Sequence, residues 1–311
     1  MTASAERLDL SIVVISWNTR QMTHDCIRSV FDNLGDCRAE IILVDNASSD
    51  GSADMVAADF PDVILIRNDD NRGFAAANNQ GFEVASGRHI LLLNSDTLVH
   101  GDVLAQSVAY LDRHQNVGAM GCRVLNTDGS VQLTCGQFPT LFNLLLQTSG
   151  LNKLPWPQFF GRQQMSHWAR DTERPVQTIS GCYLMLRREV LQHVGPLDED
   201  FFFFGEETDW CRRMHNAGWQ LMFAPVGEIT HHGSVSARKH NHKRDVMLTS
   251  AIVRLHRKHG GPLAAAAAWA IIFGFNASRG IGWSLIAGLT RNDRAKERGH
   301  HFRMVVRDSL F

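Results

Sequence analysis

Three carboxylates within four residues open the stretch Gly205-Glu206-Glu207-Thr208-Asp209-Trp210-Cys211-Arg212, directly after four consecutive phenylalanines. On a helix Glu206 and Asp209 share a face at i, i+3, and Glu207 points elsewhere. Two readings are open. Acids in a first helical turn are favoured by the macrodipole. An acid beside an apolar wall, its pKa raised by desolvation, is instead a general base. Asp96, in Asn94-Ser95-Asp96 at the end of an apolar run, either caps a helix or binds a hard divalent cation that bridges a diphosphate. Asp45, followed by Ser48 and Asp50, either caps the next helix or accepts hydrogen bonds from a base or ribose, as an acid at the end of an early strand does in nucleotide-binding sheets. His231-His232-Gly233-Ser234-Val235-Ser236 leads into Arg238, Lys239, His240, His242, Lys243 and Arg244. A histidine there is a metal ligand and the basic run a clamp on phosphates, or the whole stretch is a solvated loop.

These residues need a frame. Leu8–Ser16 and Glu40–Val44 are continuous apolar runs rich in β-branched residues, and Val63–Arg67 and His89–Leu93 are similar, so all four read as strands of a parallel sheet. Thr23–Leu34, Ser52–Asp59, Gly73–Ser86 and Val103–Arg113 read as helices. The alternation predicts an α/β fold with a doubly wound, mostly parallel sheet. Ligands of such a sheet sit beyond the carboxyl ends of its strands. The loops there put Trp17, Asn18, Arg72, Asn94 and Ser95 beside Asp45 and Asp96 as ligand-facing candidates. Further on, Ala119–Val124 and Ser130–Gln137 read as strands around an Asp128-Gly129 turn, 138–175 as an irregular substrate-facing excursion, Gln177–Arg187 as a strand, Glu206–Ala217 as a helix and Gln220–Phe223 as a last strand.

Composition excludes several classes. The chain of 311 residues is 44% hydrophobic and 20% charged, a globular composition. Its six cysteines show neither C-x-x-C nor zinc-finger spacing, which predicts a reduced, cytosolic chain with buried thiols. Neither G-x-G-x-x-G nor G-x-x-x-x-G-K-[ST] is present, against a dinucleotide or P-loop site. The loop after the first strand, SWNTRQ, lacks the glycines and cations that a sugar nucleotidyltransferase needs there. Nothing before Pro262 is long and apolar enough to cross a membrane. The net charge of −1 hides an asymmetry: residues 238–311 carry a net +10 and residues 1–237 a net −11. A basic tail points to a phosphate-rich partner.

The order of these segments resembles the family 2 glycosyltransferases of GT-A fold, within them the rhamnosyltransferase-like branch. The matching stretches are VVISWNTR (13–20), ILVDNASSDGS (42–52), NRGFAAANNQG (71–81), ILLLNSDTLV (90–99), ISGCYLMLRREV (179–190), GPLDEDFFFFGEETDWCRR (195–213) and ITHHGSVS (229–236). The resemblance implies a GT-A domain over 1–240 and an inverting transfer of a sugar, best L-rhamnose from dTDP-rhamnose, to a polyprenyl-diphosphate-linked glycan or polysaccharide in cell-envelope synthesis. A UDP-sugar is the alternative donor, and a non-catalytic nucleotide-sugar-binding module the alternative class. It implies that Asp45 reads the base or ribose with Trp17 nearby, that Asn94-Ser95-Asp96 fills the D-x-D position, and that Asp96 binds Mg²⁺ or Mn²⁺ with His231 or His232. Asn stands where that motif begins with Asp. Glu207 takes the place of the catalytic base, with Glu206 and Asp209 as alternatives.

The extension 241–311 is apolar over Pro262–Asn276 and again over Ile281–Leu289, separated by Ser278-Arg279. Neither half spans ~30 Å of hydrocarbon alone. Two amphipathic helices lying on the inner face of a membrane are therefore expected, with flanking arginines and lysines at the lipid phosphates; a homodimer partner is the other cover for their apolar faces. No stacking aromatics interleave the basic residues, against a nucleic-acid partner.

Overall fold

A computed structural model describes residues 8–154, 157–233 and 242–309. Two compact units make up the chain: Met1–Phe138, Gln164–Phe202 and Glu206–Gly233 form the first, and Pro139–Gln163, Phe203–Gly205 and Ser234–Phe311 the second.

In the first unit the alternation begins as the apolar runs demand: β1 (Leu10–Ser16), α1 (Arg20–Asp32), β2 (Ala39–Asp45), α2 (Ser52–Asp59), β3 (Ile64–Arg67), α3 (Gly73–Val84) and β4 (His89–Asn94). Strand β1 pairs in parallel with both β2 and β4, so it lies inside the sheet, with a core layer on each face. Leu10, Ile12 and Val14 pack in one core layer with Cys26, Ile27 and Val30 of α1, while Val13 enters the other with Phe82 of α3. A strand buried on both faces cannot alternate with polar residues, which is why it reads as an unbroken apolar run. All six cysteines are buried and unpaired.

Beyond β4 the unit continues as β5 (Thr97–Val99), α4 (Val103–Arg113), β6 (Val117–Leu125) and β7 (Cys135–Gly136). The sheet order is β3-β2-β1-β4-β10-β6-β11-β5. The first four strands are parallel. β10 (Tyr183–Arg187) is antiparallel to both β4 and β6, so the sheet as a whole is mixed. Between these, α5 (Leu141–Ser149) belongs to the second unit, and β8 (Arg174–Pro175) and β9 (Thr178–Ile179) to the first. α6 (Arg188–Val194), α7 (Glu206–Asn216) and β11 (Gln220–His231) complete the first unit.

Three expectations are corrected here. The strand expected over Ser130–Gln137 is reduced to β7 and a single bridge between Leu125 and Val131. The strand expected over Gln177–Arg187 is divided between β9 and β10. The last strand does not stop at Phe223: it shifts register between Phe223 and Glu228, next to Pro225, and runs on to pair with β5 through Ile229–His231. Proline has no N–H for a ladder, so a shift at that point is expected.

In the second unit α5 is followed by two short 3-10 turns, Leu151–Lys153 and Gln158–Gly161, where the sequence predicts an irregular excursion. Leu144 of α5 packs with Ala268 and Ile272 of α8 (His242–Thr290). α8 breaks at Gly261, φ 80°, just before Pro262, and then runs unbroken through Ser278 and Arg279, so the two apolar stretches form one helix, not two. Arg279 does not interrupt it, because its guanidinium folds back over the Phe275 ring, 4.1 Å away. The chain turns at Arg291, and Asn292 caps α9 (Asp293–Asp308).

Candidate active site

Register brings the strand-end candidates together. Ser16 at the end of β1 is opposite Asp45 of β2, and Ile15 is opposite Asn94 of β4. Asn18, at φ 53°, joins two loops: its N–H donates to Ser48 Oγ (3.0 Å) and its Oδ1 accepts from Ser49 N–H (2.8 Å). Trp17 beside it is 53% exposed, on the rim. Asp45 is buried. Its Oδ2 accepts from Ser48 N–H at 2.9 Å, and its Oδ1 has no partner. A buried acceptor left unpaired costs about 1–3 kcal/mol, so Oδ1 awaits a donor such as a ribose hydroxyl or a base N–H.

Asn46, which sequence reasoning missed, ties this strand end to the third loop. Its amide donates to Asn71 Oδ1 (2.9 Å), and its Oδ1 accepts from Asn68 Nδ2 and from the Arg72 N–H, both at 3.1 Å. The Arg72 side chain itself is exposed. Gly73 follows at φ 82°. A Cβ there would stand 2.6 Å from the Phe202 carbonyl, which accepts the Phe74 N–H at 2.9 Å. Only glycine permits this approach of α3 to the segment that leads into the acidic helix.

On β4, the Asn94–Thr97 turn carries Ser95, buried and 3.2 Å from Thr19 Oγ1, and Asp96. His231 is the register partner of Thr97. Its Nε2 lies 3.1 Å from Asp96 Oδ1 and 3.3 Å from Asn94 Nδ2. Its Nδ1 is 2.7 Å from Gln132 Oε1, and Gln132 Nε2 donates to Asn126 Oδ1 at 2.8 Å, which fixes the orientation of the Gln132 amide. With Nδ1 turned to Gln132, Nε2 is left facing Asp96. A carboxylate and an imidazole nitrogen 3.1 Å apart can share a proton as an ion pair or a divalent cation between them. Neighbouring ligands of one octahedral Mg²⁺ or Mn²⁺, each about 2.1 Å from the metal, stand about 3 Å apart. A carboxylate and an imidazole backed by a hydrogen-bonded partner fit such an ion. Among the described residues no group of three His, Cys, Asp or Glu forms a full protein cage, so diphosphate oxygens and water would complete the shell. His232 meets Asp96 only through its backbone, its N–H donating to the Asp96 carbonyl at 2.9 Å. Gln132 was not singled out by the sequence, and apart from its place two residues after the Asp128-Gly129-Ser130 turn nothing marks it.

The acidic helix begins with an adjacent pair. Glu206 is buried, Glu207 is half-buried, and the Oε2 atom of each is enclosed without a partner. Burial, then the Glu207 charge, pushes the Glu206 carboxyl well above the usual carboxylate range. Burial also raises Glu207, opposed by its own helix N–H and by the hydrogen bond that protonated Glu206 donates to it. Asp209, an alternative base from sequence, is fully buried and accepts from Arg213 Nε at 2.9 Å, while Arg213 also donates to the carbonyls of Val194 and Pro196. Of the aromatic wall, Phe201 and Trp210 are core; Trp210 stacks on Phe82 and donates to the Gly195 carbonyl at 2.8 Å. Phe202 is exposed.

Cys182 adjoins the end of β4. Its carbonyl accepts the Asn94 N–H (3.4 Å). Its thiol, pushed up to about 12 mainly by burial, also feels the negative charges of both Asp96 and Glu207. Of the basic candidates, Arg238 and Lys239 lie outside the described residues. Arg244 stands in the first turn of α8 in the second unit, beside Asp245 and over the Phe204 ring.

The mixed α/β sheet, with polar loops at the carboxyl ends of its parallel strands, is a GT-A fold. Two solved structures share the fold. A mannosyltransferase from Pyrobaculum calidifontis in complex with GDP-Man and Mn²⁺ aligns at TM-score 0.56 over 98% of this chain and 87% of that one, at 17% identity. GalNAc-T7 with UDP, GalNAc and Mn²⁺ aligns at TM-score 0.53 over 73% of this chain and 44% of that one, also at 17% identity. Residues 11–195 match the family described as glycosyl transferase family 2, and the chain belongs to that family. Among curated relatives, the N-acetylglucosaminyl-diphospho-decaprenol L-rhamnosyltransferase of Mycobacterium tuberculosis is 26% identical over 211 residues, which are 62% of this chain and 66% of that protein. The low-salt glycan biosynthesis hexosyltransferase Agl10 of Haloferax volcanii is 22% identical over 244 residues, 77% of this chain and 72% of that protein.

Proposed function

We propose that the chain transfers a sugar from a nucleoside diphosphate to a hydroxyl of a lipid-linked glycan, with inversion, at the cytoplasmic surface of a membrane. The observation that carries this is the Asp96–His231 pair, 3.1 Å apart at the carboxyl end of β4, in the same unit as the enclosed acidic pair Glu206 and Glu207 that opens α7. Asp45 Oδ1 accepts a hydrogen bond from the nucleoside. Asp96 and His231 would hold a divalent ion, which would offset the charge growing on the leaving diphosphate. Glu207 takes the proton of the acceptor hydroxyl while its oxygen attacks the anomeric carbon opposite the diphosphate. The new C–O bond forms as the bond to the diphosphate breaks, and a single displacement inverts the centre. dTDP-L-rhamnose is the proposed donor and a polyprenyl-diphosphate glycan the proposed acceptor, following the mycobacterial relative. The exposed apolar residues of α8 and the basic tail support peripheral docking on anionic lipid.

Replacing Glu207 by Gln tests the assignment. Turnover should fall about 10²–10⁴-fold, the share of a general base, while nucleoside diphosphate affinity stays within a small factor of the original. Unchanged turnover in an assay of sugar transfer would remove Glu207 from the role.

A further inference from the structure

Most of the exposed large apolar side chains among the described residues belong to the second unit, and they lie on two elements. One is α8, with Leu263, Ile281, Leu285, Ile286 and Leu289. The other is the segment Pro139–Gln163. Its helix α5 is apolar on both sides: Leu144 and Leu146 are buried, Leu144 against Ala268 and Ile272, while Phe142 and Leu145, spaced i, i+3, are 45% and 48% exposed. Leu151, Leu154 and Phe159 add to the exposed set. Phe142 and Leu145 on the exposed side of a helix whose other side is already buried are not needed by the core, and contiguous apolar exposure marks an interaction surface.

Charge tells which partner it meets. Residues 139–163 hold two cations, Lys153 and Arg162, and no acid. The Arg162 guanidinium is held 4.7 Å from the Phe142 ring and 4.5 Å from the Phe159 ring, its Nε donating to Asn143 Oδ1 at 2.6 Å. A cation fixed among exposed rings suits the level of lipid phosphates, where the rings enter the acyl layer and the charge stays with the headgroups. The tail in the same unit carries the same sign, net +10 over residues 238–311. A water-soluble acidic protein would satisfy the charge and leave Phe142, Leu145 and Phe159 wet; an anionic bilayer satisfies both.

We propose that Pro139–Gln163 is a second membrane-inserting element, occupied by the surface of an anionic bilayer, so that the unit grips lipid through two elements and not through its tail alone. This rests on the membrane reading given under the proposed function.

All six native cysteines are buried, so a cysteine introduced at Leu145 can be labelled selectively with an environment-sensitive fluorophore. The full chain carrying Leu145→Cys is mixed with vesicles of phosphatidylcholine and phosphatidylglycerol in equal parts, and Asp59→Cys on exposed α2 serves as control. The expected result is a blue shift at position 145 and none at 59. Phe142→Asp with Leu145→Asp should lower vesicle partitioning about tenfold or more, the loss of two buried apolar groups. Leu285→Asp on α8 sets the scale for the tail. Binding that persists with a silent label at 145 and an unaffected Phe142/Leu145 variant overturns this proposal and leaves membrane docking standing. No binding of the unsubstituted chain overturns both. A shift at 145 that needs no vesicles and grows with protein concentration assigns the face to a second copy of the chain and also overturns it.

Discussion

Burial and the adjacent Glu207 push Glu206 toward its neutral form. Its carboxyl is raised above the ordinary glutamate range by burial and by Glu207, so the native state binds more protons there than the unfolded chain. The sign follows: the penalty is absent below the unfolded pKa, and stability is lost as pH rises from there through the folded value. Glu206→Gln, which keeps the neutral shape, should therefore raise the melting temperature relative to the parent more at about pH 8 than at about pH 5. Equal shifts at both pH values in a calorimetric scan would mean that Glu206 is ionised in the native state. At this scale Asp45, Asp96 and Glu207 are legible from sequence, because each stands where an apolar run gives way to polar residues. Asn46 and Gln132 are not. Their work is done through amide bonds to residues about 25 and 99 positions away, and no local pattern announces such a partner.

Strand β11 shows why elements can be read only in part. Gln220–Phe223 is apolar and recognisable, but its continuation across Pro225 and Gly227 has neither alternation nor an apolar run. It becomes a strand because β5 and β6 supply two edges for it. That tertiary pairing is what delivers His231 to Asp96. The strands β1, β2 and β4 are legible because burial on both faces leaves an uninterrupted apolar signal, and the edge strand β3, only partly buried, from its short β-branched run; α5 is not, because its exposed apolar residues obscure the helical period. Gly73 belongs to this scale also, since it sets how closely α3 meets the Phe202 segment. Gly73→Ala places a side chain at φ 82° and against the Phe202 carbonyl. It should destabilise the chain by about 2 kcal/mol, and sugar transfer should weaken with it as the entry to α7 shifts. A melting temperature and turnover equal to the parent's would show that the approach is not required.

At the scale of the molecule, the two units divide the work by surface chemistry. The first encloses its apolar residues around a nine-stranded sheet and keeps polar loops at the carboxyl ends of the central strands. The second exposes apolar and cationic residues together. The charge asymmetry that foreshadows this division is visible in the sequence, but the inclusion of residues 139–163 with the tail is not, because it depends on the packing of Leu144 with Ala268 and Ile272 across more than a hundred residues. Nucleoside diphosphate binding at the strand ends is proposed to run through a cation held by Asp96 and His231. Calorimetric titration of the full chain with dTDP, with and without Mn²⁺, checks this, with Gln132→Leu as a second protein. Tight binding is expected only with Mn²⁺, and the Gln132→Leu variant, which loses the partner that orients the imidazole, should need about 10–100-fold more Mn²⁺. Binding that is equal with and without Mn²⁺, or absent for every nucleoside diphosphate tried, would contradict it.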